Sequence, residues 1–335
     1  MQRVWFLLAL LSVTSNSYAD RLLFSRGENL YLSELDGKAQ RKLFSIGADT
    51  LWGASPDGRR VAWIKKTPGT EDGGLQKRPV AIFLGDTAGR RQKKLATTNA
   101  LKDRNAQRIT QVGPTRENGG ATRLDDWTLA SVGFSEDGRT IYLGLSRTGG
   151  AESEVATVAL DAFTGAAVVD ADGYWKVLAP IAQSDSRASL LIGAGAATTT
   201  KAGADSSYLA LTLVNFADES VQAIPAPATL NGQKPAYGSA LWPTLSPDGK
   251  KAAFSALPPG LWLADTTLKS VRRLVPTEAT RPRFALEGKA LYLLAPRPTT
   301  SDRQSYDLFW LDPTLPTSTP TRQLDDIDWF DLIPD

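Results

Sequence analysis

The chain has 335 residues, 42% hydrophobic and 22% charged, with a formal net charge of +2. This composition supports a globular fold with a substantial core, and its near-neutral balance excludes a dedicated nucleic-acid binder, which concentrates basic charge on one face. Histidine and cysteine are both absent, which excludes Ser-His-Asp and thiol catalysis, histidine and thiolate metal sites, and disulfides.

Residues 1–19 read as an export signal. Met1-Gln2-Arg3 is a short positive start, Val4–Val13 an apolar run, and Ser17 and Ala19 are the small residues before a cleavage point. A mature chain is expected from Asp20. The run is too short to span a bilayer, no later segment is apolar for long enough, and no cysteine is present to carry a lipid. The expected product is soluble, without membrane span or lipid anchor, in the periplasm or beyond it.

Short strands then follow in chain order. "DRLLFSRGENLYLSELDGKAQRKLF" (20–44) reads as a second, third and fourth strand with no first strand ahead of them. "SPDGRRVAW" (55–63) opens a repeat that continues through "PVAIFLGD", a turn at "TAGRR" and "KKLAT". "FSEDGRTIYLG" (134–144) repeats it, followed by "SEVATVALD" and "AAVVD"; "IAQSDSRASLLIG" (181–193) is a degraded copy. "SPDGKKAAF" (246–254) and "FALEGKALYLL" (284–294) complete the series, and the chain ends on "IDWFDLIPD". Pro56 and Pro247 preset the second position of a tight turn, Gly58 and Gly249 take the left-handed angle, and Asp57 and Asp248 bond the local backbone.

Strand interiors such as Val61–Ile64 are apolar on both faces, as in a sheet sandwiched between two others. Four short strands per repeat, buried on both sides, describe propeller blades. The expected fold is all-β: residues 20–335 form a six-bladed β-propeller of four-stranded antiparallel blades. Its ring would be closed by the C-terminal strand completing the N-terminal blade. Ser55–Gly58 and Ser246–Gly249, each followed by a basic residue and a short apolar strand, resemble the WD40-like Pro-Asp repeats of the TolB-like six-bladed propeller family. The resemblance covers most of the mature chain and implies a cell-envelope propeller. The first strand begins at Arg21, which leaves no counterpart of the N-terminal domain found in TolB itself.

In a four-stranded blade the long segments 65–79, 97–125, 194–206, 226–239 and 296–305 all fall on one face, opposite the Pro-Asp turns. Long loops commonly carry binding. Their basic residues Lys77, Arg78, Lys102, Arg104, Arg108 and Arg116 are candidate partner contacts. On the same face Trp52, Trp127, Trp175, Trp242 and Trp329 stand at the starts of innermost strands, and Asp49, Asp126, Asp172 and Asp326 precede four of them. Asp49, Trp52, Asp126, Trp127, Asp172, Trp175, Asp326 and Trp329 are therefore candidate ligand contacts at the channel mouth, for a cation or a basic or amide-rich segment. The plainer alternative, which these residue types favour, is Asp as a turn residue and Trp as packing between blades.

No nucleophile elbow or phosphate loop appears. The expected function is a non-catalytic scaffold, not an enzyme, that binds an envelope protein or peptide. The alternative is a carbohydrate-binding or carbohydrate-active propeller using the channel-mouth Asp and Trp residues. No cofactor or metal is assigned; "DADG" (170–173) is only a fragment of a calcium loop, and a carboxylate-bound calcium stays open.

Overall fold

Runs of three to five apolar residues between polar turns give short strands, and in the computed structural model β-strand is the dominant element. The described residues are 20–47, 50–66, 80–97, 108–109, 122–123, 128–149, 152–169, 176, 178, 181–187, 190–201, 204–215, 220–224, 239–257, 259–266, 270–298, 305–315 and 319–335. The described residues start with β1 (Asp20–Arg26), β2 (Asn29–Glu34) and β3 (Arg41–Ser45). A second sheet holds β4 (Leu51–Ala54), β5 (Arg60–Lys66), β6 (Val80–Asp86) and β7 (Gln92–Thr97). A two-stranded ribbon follows, β8 (Arg108–Ile109) with β9 (Thr122–Arg123). Next come β10 (Thr128–Phe134), β11 (Thr140–Gly149) and β12 (Glu152–Asp161). Then come β13 (Ile181–Arg187), β14 (Leu190–Lys201), β15 (Ala204–Asn215) and β16 (Ser220–Ile224). The fifth sheet is β17 (Ser239–Leu245), β18 (Lys251–Leu257), β19 (Gly260–Asp265) and β20 (Val271–Val275). The sixth is β21 (Thr280–Phe284), β22 (Leu291–Pro296), β23 (Tyr306–Leu311) and β24 (Thr321–Ile327). The last strand, β25 (Trp329–Pro334), pairs antiparallel with β1 from Asp20↔Pro334 to Ser25↔Trp329 and makes the first sheet four-stranded.

The molecule is thus an all-β propeller of antiparallel sheets, with five four-stranded blades and not the expected six. The sheet of β10, β11 and β12 has three strands among the described residues. Segment 166–170, expected as its fourth strand, contributes one isolated bridge, Leu160↔Ala167. The edge of β12 is divided: Val168 N donates to Ala159 O (2.9 Å), and Leu178 N donates to Thr157 O (2.8 Å). A second departure concerns 194–206, expected as a loop. The β14–β15 hairpin runs through it as a continuous ladder to Lys201↔Ala204, since threonines 198–200 suit an extended chain.

The core lies between blades. Val61 and Trp63 of β5 pack with Leu23, Leu30 and Phe44 of the first sheet, while Ala62 and Ile64 pack with Val132, Ile141 and Val158 on the other side. β1 divides likewise: Leu23 faces one neighbour, Leu22 and Phe24 the other, against Tyr292 and Leu294. Alternation along a strand therefore decides which neighbour a side chain meets.

The repeated turns share one hydrogen-bond pattern. Ser55, Ser135 and Ser246 donate Oγ–H to Asp57, Asp137 and Asp248 at 2.5, 2.6 and 2.6 Å. Each hydroxyl also accepts the amide of Arg60, Thr140 or Lys251 at 2.9 Å. The turns lean on one another between blades. Pro334 lies so close to Gly58 (φ 67°) that a Cβ there would come within 2.9 Å of its Cδ and carbonyl oxygen. Arg60 Nη2 donates to Gly138 O (2.6 Å), its guanidinium 5.8 Å from the Phe134 ring centre and 5.1 Å from that of Phe163. Among the described residues no helix is long and apolar enough to cross a membrane.

Candidate functional site

The innermost strands β4, β17, β21 and β25 belong to four sheets and begin on the same face. Two of them are irregular. β17 loses register between Leu241 and Thr244, and β21 between Thr280 and Arg283. At each bulge a non-glycine residue takes a left-handed angle, Trp242 at φ 53° and Arg281 at φ 52°, and a proline follows directly. Such an angle costs about 1–2 kcal/mol for a residue with a Cβ. Pro243 and Pro282 cannot donate to the ladder, so strand pairing breaks there and both side chains are re-aimed.

They converge on Trp329, the first residue of β25. The Arg281 guanidinium carbon lies 4.1 Å from the Trp329 ring centre, 5.1 Å from that of Trp242 and 5.5 Å from that of Tyr306. Trp242 meets Trp329 edge-on, with centroids 5.0 Å apart and planes at 87°; Trp52 lies 6.5 Å from Trp329 with its plane tilted by 55°. Arg281 Nη1 donates to the carbonyl of Asp328, and Nε is sealed from solvent without a partner among the described residues. Burial pulls the Arg281 guanidinium down to about 10, with Tyr306 and Asp328 opposing and Arg283 assisting. It is still a cation at neutral pH. Burial also holds the Tyr306 phenol above its usual range, so that ring stays neutral. The result is a half-buried cation clamped against aromatic faces, with no carboxylate at ion-pair distance among the described residues. In a low-dielectric setting such a group attracts anions strongly.

Deeper in the channel, Asp331 of β25 accepts from Ala54 N of β4 (3.2 Å) and faces Arg283 Nε of β21 (3.5 Å). Both side chains of that ion pair are 15% exposed. On the opposite face, a cleft of about 600 Å³ lies among Asp20, Arg21, Glu34, Asp36, Arg41 and Asp335. Its charges are engaged locally: Arg21 with Asp335 (2.9 Å), Asp36 with Lys38 (2.6 Å), and Arg41 with the carbonyls of Thr87 and Ala88.

The structure brings Trp52 and Trp329 together, but as packing: they are 1% and 6% exposed. Asp326 does not join them. It is the penultimate residue of β24, its carbonyl accepts Arg26 Nε (2.8 Å) and its amide donates to Asp307 Oδ1 (3.4 Å). Asp49, Asp126, Trp127, Asp172, Trp175, Lys77, Arg78, Lys102, Arg104 and Arg116 lie outside the described residues. Arg108 is in β8, paired with Arg123. Among the described residues no three carboxylates gather as a metal site. Arg281 and Tyr306 were not anticipated, and Trp242 lacked the preceding carboxylate that marked the others. One signal was available: Arg281-Pro282 precedes Gly288 by the same spacing as Trp242-Pro243 precedes Gly249.

No family model and no curated protein matches the chain. Among solved structures it is similar to an oligogalacturonate lyase from Vibrio parahaemolyticus, at 11% identity over 90% of this chain and 74% of that one, with a TM-score of 0.47. It is also similar to the β-propeller domain of the Trilobed protease from Pyrococcus furiosus, at 10% identity over 92% and 93%, TM-score 0.46. A third is a puromycin-hydrolysing peptidase from Mycobacterium tuberculosis, at 15% identity over 92% and 44%, TM-score 0.44, so the chain spans less than half of that protein's length. These likenesses correct one expectation. A lyase and a peptidase stand among the similar structures, so the expectation that the chain is not an enzyme finds no support in the fold. Lacking histidine and cysteine removes two kinds of chemistry, not catalysis as such.

Proposed function

We propose that this chain is an exported, cell-envelope propeller related to the TolB-like proteins, which binds a peptide or protein segment on the face where its innermost strands begin. In this reading residues 1–19 direct export to the periplasm, and the pairing of β25 with β1 closes the ring of blades around the channel. The observation that carries it is the clamping of Arg281 over Trp329 by two proline bulges. Backbone strain of this kind gathers at functional sites. Tryptophan and arginine are the residue types that dominate binding energy at protein interfaces. A sugar-stacking site would need open indole faces, whereas Trp52 and Trp329 are buried, which favours a peptide over a carbohydrate.

The test is to probe chain 20–335 and its Trp242→Ala variant on random peptide and glycan arrays. The reading expects peptide binding that weakens about tenfold or more in the variant, a loss typical of a central aromatic. Binding confined to glycans supports the carbohydrate alternative. Binding to neither rejects the face as a binding surface.

A further inference from the structure

Of the three Arg281 guanidinium nitrogens, Nη1 is committed to the Asp328 carbonyl and Nε is enclosed, which leaves Nη2 as the donor without a hydrogen bond to a described residue. The surrounding rings supply no hydrogen-bond acceptor along their faces. We infer that Arg281 is a carboxylate receptor: Nη2 takes a carboxylate oxygen of the bound segment, from an Asp or Glu side chain or from a chain end. This rests on the peptide-binding reading above and names the group recognised. Three observations meet at this residue. Asp328 is the carboxylate that favours its charge, and burial outweighs it. Its backbone is held at a costly angle. Three aromatic rings stand within 5.5 Å of it, an apolar setting that strengthens a charge-assisted hydrogen bond. Lysine could not replace it, because the planar fork both stacks and donates.

The experiment follows tryptophan fluorescence of the wild-type chain on titration with four probes: N-acetylglutamate α-amide, N-acetylglutamine free acid, N-acetylglutamine α-amide and glucuronate. A carboxylate probe should change the emission saturably and bind about tenfold tighter than the neutral α-amide, as a charge-assisted bond requires. Whichever of the first two binds better identifies the side-chain or chain-end source. Arg281→Lys should weaken it about fivefold or more, and Arg281→Gln should abolish it. Equal binding of acid and amide, or unchanged binding in both variants, overturns the carboxylate assignment. Response to glucuronate alone overturns the peptide source. The acid–amide comparison on the wild-type protein decides the point even where a substitution prevents folding. Peptides that bind the array without acidic preference would sink this inference and leave the proposed function standing.

Discussion

At the scale of single residues, the turns separate two costs that usually arrive together. Gly58 (φ 67°) and Gly288 (φ 72°) share a left-handed angle, but only Gly58 has Pro334 backbone against it, whereas Pro247 stands 3.4 Å from the Cβ position at Gly288. Gly288→Ala should therefore cost about 1–2 kcal/mol, from the angle alone. Gly58→Ala should cost about 2–4 kcal/mol, since it adds overlap with a carbonyl that cannot rotate away. Urea midpoints would show the difference, and equal losses would disprove the close packing of the turns. The serine hydroxyl, followed by the amide two residues on from each aspartate, holds the Asp137 and Asp248 carboxyls below the usual range. A carboxylate depressed in the folded state stabilises above its unfolded value near 3.8 and loses that contribution as pH falls through the lower, folded value. Stability should hold from neutrality to about pH 5 and decline below about pH 4. The decline should be shallower in an Asp137→Asn, Asp248→Asn double variant followed by thermal melting across pH; an identical acid slope would assign acid loss elsewhere.

At the scale of strands, how much could be read from sequence depended on whether a segment announced its own surroundings. The strands apolar on both faces, Val61–Ile64 among them, did so, and their side chains divide between two neighbouring sheets as such a pattern demands. The Pro-Asp-Gly turns did so as well, with Asp57 and Asp248 bonding the local backbone. Segment 166–170 did not: "AAVVD" has strand composition, but the edge of β12 it should cover is shared with Leu178, a choice made by the fold around it. The β14–β15 extension failed in the opposite sense, because alanine, glycine and threonine read as loop when no neighbour is known. Arg281 was illegible for a third reason. An arginine before a proline is unremarkable until the bulge sets it on an indole from another blade. The same strands set a stability test. Asp331→Ala in β25 would strand the Arg283 guanidinium of β21 in the channel and should cost about 2–4 kcal/mol, as for other low-exposure pairs losing one partner. Replacing both, Asp331→Leu with Arg283→Met, should recover most of that loss. Failure to recover would mean that Asp331 matters through Ala54 N instead.

At the scale of the whole molecule, the question is what holds a chain of separate blades together without a disulfide. The only covalent link between one blade and the next is the backbone, so the burial between sheets and the pairing of β25 with β1 must do the rest. Deleting 325–335 removes β25 and bares the edge of β1. The expected outcome is aggregation or loss of the cooperative melt, and an unchanged melt would show that the first sheet stands without it. The β25–β1 pairing has another consequence, which concerns connectivity. Asp20 lies opposite Pro334, and Arg21 is bonded to Asp335, so the two ends of the described chain sit side by side in one sheet. A polymer with adjacent ends can be rejoined there and cut elsewhere with its contacts intact. A circular permutant with Asp335 linked to Asp20 through a few glycines, and opened at the tight turn between Asp86 and Arg91, would keep every strand pair. Which blade is first would then be a matter of where the gene was cut, and of nothing in the fold.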